Sequence, residues 1–190
     1  MNLWQAIKER RSCREFATTP VEDEKLEAVL EAARWAPSVL NKQPWRFTVI
    51  KNQELKQRLK DSCSKTIEFL HQASGWKWLG RYKVDFLAQA PVIIAVTADP
   101  QDAGADKFLP GRGESYAMSC CAAVQNMLLA AHALGLGSLW YTLYDKDEVK
   151  QILNVPPHMD LVSMVVIGYP ASPPGSVPRK PLEELMTVIP

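Results

Sequence analysis

The residues best suited to chemistry form a basic cluster near the start of the sequence. Arg10, Arg11 and Arg14 surround Ser12, so three guanidinium groups and one hydroxyl fall within five residues. A guanidinium presents a fixed fork of N–H donors that matches phosphate oxygens. The cluster therefore predicts a site for a phosphorylated ligand. The alternative is a solvated, salt-bridged helix end.

A second polar segment lies between a predicted helix and a predicted strand. Pro37 pushes the residue before it out of the helical region, and Ser38 and Asn41 follow in a short loop that leads into the strand 46–50. A loop held at both ends by regular elements can keep its side chains in place, which favours a binding role. Both residue types also bond to nearby backbone in ordinary loops, and this alternative stays open.

The elements that must position these motifs are predicted from hydrophobic periodicity and cap residues. Thr19, with Pro20 and Glu22, predicts a capped helix start. Four β-rich runs separated by helices predict a mixed α and β chain in a single domain over residues 1–190. The predicted strands are 46–50, 91–97, 138–143 and 161–169.

A long helix is predicted from Glu114 to Leu134, with Gly135 as its end. Its residues are apolar on nearly every face, so the helix has to be enclosed on all sides. In a chain of 190 residues this is easier when a second subunit covers one face. We therefore predict an obligate homodimer.

A polar, aromatic segment from Ser64 to Gln89 follows a short helix that Asn52 is predicted to cap and that ends near Cys63. The segment lacks clean periodicity, which favours either a mobile cover over a ligand site or the packing of a surface helix pair. Its rings could stack on an aromatic ligand. The candidates for substrate binding are Trp76, Trp78 and Tyr82.

Composition excludes several classes of partner. The chain has 22 basic and 21 acidic residues and a net charge of +1, so it has no broad positive field for nucleic acid. Its four cysteines show neither CxxC spacing nor a secreted disulfide framework, which predicts a reducing cytoplasm. With no leader-like start and no apolar run long enough for a bilayer, we expect a soluble protein without a membrane partner.

The remaining signals are weak. The histidines are His71, His132 and His158, and they are too far apart for a zinc motif, so no metal is predicted. We expect His132 to be a satisfied polar residue of the long helix, and Cys13 to be a small buried residue. The run Gly111–Tyr116 lacks the third glycine of a dinucleotide fingerprint.

Taken together, four motifs in this order resemble the FMN-dependent nitroreductase superfamily, and the match runs from end to end of the chain. The chain is most similar to the compact members that include the iodotyrosine deiodinases. The motifs are Arg10–Phe16, Ala36–Trp45, Leu134–Ser138, and Ile167–Pro170 with Arg179–Leu185.

The resemblance implies the α+β nitroreductase-like fold, with a mixed, mostly antiparallel central sheet flanked by helices. It also implies an intertwined homodimer with two FMN sites at the subunit interface and residues 170–190 as a tail that extends onto the partner. It places the FMN phosphate, ribityl chain and pyrimidine edge against Arg10, Arg11, Ser12, Arg14 and Arg179. It places the loop of Ser38, Val39 and Asn41 against the partner's flavin, and Trp140, Tyr141 and Thr142 beside the flavin ring.

The resemblance also implies an activity. NADH or NADPH would reduce the flavin, and a nitroaromatic or quinone-like acceptor would then reoxidise it in a ping-pong cycle. A Thr142 hydroxyl near flavin N5 would favour one-electron steps, although Thr142 is also an ordinary β-branched strand residue. The alternatives are reductive dehalogenation of halogenated phenols or tyrosines, and flavin binding with little turnover. Glu68 and Lys83 could hold a zwitterionic substrate, but a solvated helix face accounts for them more simply.

Overall fold

A computed structural model describes residues 1–173 and 175–189. One four-stranded sheet lies at its centre, and all three strand pairs are antiparallel. The spatial order is β1-β2-β4-β3, with β1 at Trp45–Ile50, β2 at Val92–Ala98, β3 at Gly137–Tyr141 and β4 at Asp160–Gly168. A single parallel bridge joins Ser12 to Ser138 at the β3 edge. The predicted α+β class with a mostly antiparallel sheet is confirmed.

Helices cover both faces of the sheet. One face carries α2 (Asp23–Arg34) and α5 (Ser115–Ala133), and the other carries α3 (Gln53–Ser74), α4 (Phe86–Gln89) and α6 (Lys146–Ile152). The short α1 (Leu3–Glu9) packs against α5. Every residue of β2 is buried, because this central strand has helices on both sides, and its sequence is accordingly a continuous apolar run. Short 3₁₀ turns occur at Val39–Asn41, Leu79–Arg81, Pro100–Asp102, Ala105–Phe108 and Leu182–Glu184.

Several predicted helix ends are confirmed by their cap contacts. The Asn52 side chain accepts a hydrogen bond from the Leu55 amide at the start of α3, and the Asp145 side chain accepts one from the Glu148 amide at the start of α6. At the end of α5, Gly135 has a φ of +78°, which favours glycine.

Two predicted boundaries are wrong. The helix after Pro20 begins at Asp23, with Glu22 at the N-cap position, and Thr19 takes no part. The Glu22 carboxylate caps no helix amide and instead accepts from the Tyr169 hydroxyl. The helix capped by Asn52 does not end near Cys63 but runs to Ser74. Its buried stripe of Leu59, Cys63 and Ile67 continues past the predicted end, so half of the supposed irregular segment is regular helix.

The long helix exposes an apolar strip that this chain leaves uncovered. Met118 is 55% exposed, and Cys121, Ala122 and Leu129 on the same side are only half-buried. The chain beyond Pro170 is also exposed and contributes nothing to either core cluster, although its first residues pair with the segment at Glu15 and Phe16. Of the predicted tail 170–190, Pro174 and Pro190 lie outside the described residues.

Candidate cofactor site

The basic cluster begins where α1 ends. Arg11 turns back onto that helix, and its Nη1 donates to the carbonyls of Lys8 and Arg10, the latter at 2.8 Å. A cation at a helix C-terminus is favourable because the last carbonyls there carry partial negative charge. Arg11 is thus largely a helix cap through Nη1, and its Nε is buried without a partner in the described chain.

Arg10 faces cations from both ends of the chain. Burial lowers the pKa of the Arg10 guanidinium, and the positive charges of Arg179 and Arg11 lower it further. Arg179 bonds only to nearby carbonyls of its own segment, at Val177 and Pro178, within the described chain. Like charges held together in this way favour an anionic ligand between them. Arg179 is therefore near enough to Arg10 for its charge to act on that guanidinium.

A cavity of about 220 Å³ lies beside these arginines, where α1, the end of α5 and the start of β3 meet. Three buried polar atoms around it have no hydrogen-bond partner within residues 1–173 and 175–189, namely Arg11 Nε, His132 Nε2 and Ser138 Oγ. Leaving a buried polar group unpaired costs about 1–3 kcal/mol, but these three atoms are shielded from solvent and do not open directly onto the cavity. The expectation that His132 is satisfied is therefore wrong.

The segment 12–14 is tied to β3 by its backbone. The Cys13 amide donates to the Ser138 carbonyl at 2.9 Å, and a Cβ added at Gly137 would lie 2.8 Å from Cys13 Sγ. Glycine at position 137 therefore permits this close approach. Cys13 itself is buried, and burial raises the pKa of its thiol, which fits the small structural role predicted for it. Ser12 is exposed and points its side chain away from the core.

The loop of Ser38 and Asn41 is held in an unfavourable backbone conformation. Leu40, Asn41 and Gln43 have φ values of +48°, +53° and +48°, a backbone conformation that residues other than glycine rarely adopt. Two contacts hold the loop: the Val39 amide donates to Ser119 Oγ of α5 at 3.1 Å, and the Gln43 amide donates to Ser38 Oγ at 3.1 Å. Strain that the surroundings maintain in this way is typical of binding loops.

The three predicted residues at the end of β3 have different environments. Trp140 is half-buried, and its indole Nε1 has no partner in the described chain. Tyr141 is 2% exposed and donates its hydroxyl to the Leu143 carbonyl at 2.6 Å, so its ring belongs to the core and only its backbone can reach a ligand. This corrects the prediction for its side chain. Thr142 lies just beyond the strand and is exposed.

The aromatic residues of the cover segment are in contact with one another. Ring centroids are 6.2 Å apart for Trp76 and Trp78 and 5.6 Å apart for Trp78 and Tyr82. The row continues through Phe86 to Tyr141, at 6.3 and 5.6 Å. It therefore runs from the surface to Tyr141 at the end of β3, next to Thr142.

A second cavity, of about 410 Å³, opens between α3 and the segment 79–85, and Tyr82 lines it together with Glu68 and Lys83. Glu68 and Lys83 are exposed, and Glu68 accepts a long hydrogen bond of 3.4 Å from Gln72. These two residues therefore share a cavity, while their exposure also agrees with a solvated surface.

Metal-binding groups, membrane-spanning helices and disulfides were also sought among the described residues. Among the described residues, no three His, Cys, Asp or Glu side chains are grouped closely enough to hold a metal ion. None of the helices in residues 1–173 and 175–189 has the length and apolar character needed to cross a bilayer. All four cysteines are free thiols.

Comparison with known proteins agrees with this geometry. A family described as the nitroreductase family matches residues 7–169. The chain is 31% identical to an iodotyrosine deiodinase of Thermotoga neapolitana over 93% of each chain. It is 30% identical to an NADH dehydrogenase of Thermus thermophilus over 95% of this chain and 93% of that one. The crystal structure of an oxidized iodotyrosine deiodinase bound to FMN and 3-iodo-L-tyrosine superposes with a TM-score of 0.82 and 28% identity, covering 100% of this chain and 98% of the other.

Proposed function

Since the chain belongs to the nitroreductase family, we propose that it is an FMN-dependent oxidoreductase that uses NADH or NADPH to reduce nitroaromatic or quinone-like acceptors. The observation that carries the proposal is the position of Arg10 and Arg11 beside a cavity, with the charge of Arg179 acting on Arg10 from the other end of the sequence. A phosphate with close to two negative charges fits such a site better than a neutral ligand does. The residues present therefore fit FMN.

In this proposal, bound FMN supplies the redox chemistry, passing electrons from a nicotinamide to an acceptor, while the protein supplies binding, orientation and exclusion of water. Arg10 and Arg179 hold the phosphate, and Arg11 adds its positive charge. Ser12 and Arg14 lie along the ribityl chain and pyrimidine edge.

At the ring end, the backbone of Trp140 and Tyr141 lies beside the flavin, and the Thr142 hydroxyl is placed to hydrogen-bond N5. Thr142 is exposed and has no hydrogen-bond partner within the described ranges, so its hydroxyl remains available for this contact. It is the residue assigned to favour one-electron steps.

The proposal includes a homodimer. The uncovered strip at Met118, the exposed Leu40 (77%) in the strained loop, and the exposed tail residues 171–173 and 175–189 are surfaces that a second copy would bury. In such a dimer, Ser38, Val39 and Asn41 reach the partner's flavin. The tail extends onto the other subunit, which agrees with its lack of a core of its own.

The acceptor binds against the aromatic row of Trp76, Trp78 and Tyr82. Trp76 is 61% exposed and Trp78 is 48% exposed, so both rings can stack on a planar, electron-poor molecule. The free thiols suit the reducing cytoplasm, where both nicotinamides are present.

The second candidate function is reductive dehalogenation of halogenated phenols or tyrosines. It is favoured by the likeness to the deiodinase bound to 3-iodo-L-tyrosine, and by Glu68 and Lys83, which line one cavity with Tyr82. Opposite charges in one cavity suit an amino acid. Flavin binding with little turnover is the remaining possibility for a chain of this fold.

One series of measurements separates these functions. The purified protein is expected to show a flavin absorbance spectrum that bleaches when NADH or NADPH is added anaerobically, and to recover its colour with nitroaromatics or quinones. Iodide release from iodotyrosine under reducing conditions would favour the dehalogenase. A bound flavin that neither nicotinamide bleaches would favour flavin binding alone, and a colourless protein that takes up no FMN would refute the proposal.

A further inference from the structure

The last turn of α3 carries a histidine that contacts the segment 76–82, to which the aromatic row belongs. His71 Nδ1 lies 3.0 Å from the Trp76 carbonyl oxygen. A carbonyl oxygen only accepts hydrogen bonds, so Nδ1 carries the proton of this bond and donates it. Between the two residues α3 ends at Ser74, and Gly75 follows with a φ of +68°. The histidine thus ties the chain that leaves the helix back to the helix itself.

The same imidazole packs against Gly80. A Cβ added at Gly80 would lie 2.9 Å from His71 Nε2, and two carbons of the ring would lie at 3.2 and 3.3 Å, closer than such atoms normally come. Gly80 is not among the glycines with a positive φ, so glycine is needed here for space rather than for backbone conformation. His71 therefore contacts the segment at two points, a hydrogen bond at Trp76 and a close packing contact at Gly80.

Few other contacts fix the exposed part of this segment. The Trp76 carbonyl also accepts from the Leu79 amide at 3.1 Å, and the Trp76 amide donates to Ser74 Oγ at 3.2 Å. Leu79 is buried in the core, but the rings of Trp76 and Trp78 are exposed. Exposed rings gain little from burial. Their position therefore depends on the backbone that His71 holds.

We propose that His71 is a positioning residue for the acceptor site, and that it fixes the aromatic row in place before an acceptor binds. The inference rests on the proposed function, because it takes the row of Trp76, Trp78 and Tyr82 as the surface on which the acceptor stacks. A binding surface that is already ordered does not lose conformational freedom on binding, which favours affinity. When the surface is in place only part of the time, the apparent affinity falls by that fraction.

Two substitutions separate this role from a direct contact with the acceptor, since His71 also lines the cavity of about 410 Å³. His71→Leu keeps a bulky side chain but has no donor. His71→Asn places an amide nitrogen near the position of Nδ1, so it can still donate to the Trp76 carbonyl, but it has no counterpart of Nε2. The control is His158→Leu, which alters an exposed histidine in another part of the chain.

The first measurement needs neither cofactor nor acceptor. Lys77, Arg81 and Lys83 are exposed trypsin sites in or beside the segment, and native cleavage there reports how often the segment opens. His71→Leu is expected to be cleaved at these sites about two- to tenfold faster than the parent, the effect of losing one hydrogen bond. Cleavage at Lys146, which is exposed in α6, should not change. His71→Asn and His158→Leu should resemble the parent.

An unchanged cleavage rate in His71→Leu would overturn the inference. Equal acceleration at Lys146 would also overturn it, because that result indicates general destabilisation. If His71→Leu does not fold, Gly80→Ala serves instead, since its added methyl group displaces the imidazole. In a His71→Ala background no ring remains to be displaced, so Gly80→Ala should add nothing. Full additivity of the two changes would show that the histidine is not the link.

Acceptor kinetics with the FMN-loaded protein then test the functional consequence. His71→Leu is expected to raise the KM for a nitroaromatic acceptor by about two- to tenfold, with kcat and the bleaching of the flavin by NADH unchanged. His71→Asn should restore the KM of the parent. A parental KM in His71→Leu, or a KM in His71→Asn as high as in His71→Leu, would overturn the positioning role. A parent whose flavin no acceptor reoxidises would instead refute the proposed function, while the cleavage rates would still show whether His71 holds the segment.

Discussion

The Arg14 guanidinium lies against Tyr82. Its Nε donates to the Tyr82 hydroxyl at 3.4 Å, and its central carbon lies 5.8 Å from the ring centroid. Arg14 belongs to the predicted cofactor motif and Tyr82 to the aromatic segment, so two regions 68 residues apart in sequence meet at one place. An acceptor that stacks on the aromatic row would therefore bind next to the cofactor.

This contact leads to a prediction for Trp78→Ala. Removing one stacking ring costs about 0.5–1.5 kcal/mol, so the KM for a nitroaromatic acceptor is expected to rise by about two- to tenfold. Bleaching of the flavin by NADH should be unchanged, because that half-reaction does not involve the acceptor. The control is Trp35→Ala, since Trp35 is also exposed but lies at the end of α2. Unchanged acceptor kinetics in Trp78→Ala would exclude this ring from the substrate site.

The strained loop provides the second prediction. Ser119→Ala removes the hydroxyl that accepts a hydrogen bond from the Val39 amide, and such a hydrogen bond contributes about 1 kcal/mol. Its loss allows the loop residues at positive φ to relax. FMN is expected to bind several-fold more weakly. Ser64→Ala is the matched control, because both hydroxyls donate to the carbonyl four residues earlier but only Ser119 holds a loop. Equal FMN affinity in Ser119→Ala and Ser64→Ala would show that the loop does not contribute to flavin binding.

Thr142 is tested by the course of anaerobic photoreduction. With a hydroxyl at N5, the parent and Thr142→Ser are expected to show the absorbance of one-electron-reduced flavin, and Thr142→Ala is expected to pass to the fully reduced form without it. The FMN content of each variant is measured first, so that loss of cofactor is not mistaken for a change in chemistry. If the parent does not show the absorbance of one-electron-reduced flavin, Thr142 does not have the role proposed for it.

The dimer is tested by a charge on the uncovered strip of α5. Met118→Glu places a carboxylate where a second copy would bury an apolar side chain, so analytical ultracentrifugation is expected to show monomers and reduced FMN content. Phe69→Glu introduces the same charge on the exposed side of α3 and should remain dimeric. A parent that sediments as a monomer would contradict the dimer directly.

Much of the fold could be predicted from local signals. Asn52, Asp145 and Gly135 act through neighbouring backbone, and the central strand β2 is apolar throughout, so these elements are visible in the sequence. The start of α2 is less visible, because Glu22 at the N-cap position makes no side-chain cap contact and its carboxylate instead accepts from Tyr169, a residue distant in sequence.

The candidate site also contains some residues that the sequence predicts and others that only the fold brings together. The arginines form a motif, but His132 joins Ser138 at the same cavity only when α5 and β3 pack against α1, and no local pattern marks His132. The burial of Tyr141 could have been anticipated, since side chains alternate along a strand and its neighbours Trp140 and Thr142 were assigned to the ligand.

The most direct test of the account is FMN retention by Arg10→Ala. The parent and Arg58→Ala, which alters an exposed arginine of α3, are expected to stay yellow through exhaustive dialysis. Arg10→Ala should lose its flavin, because a charge-assisted hydrogen bond to phosphate is worth about 1.5–3 kcal/mol, or about 10- to 150-fold in affinity. If Arg10→Ala keeps its flavin absorbance as well as the parent does, the basic cluster does not hold the cofactor.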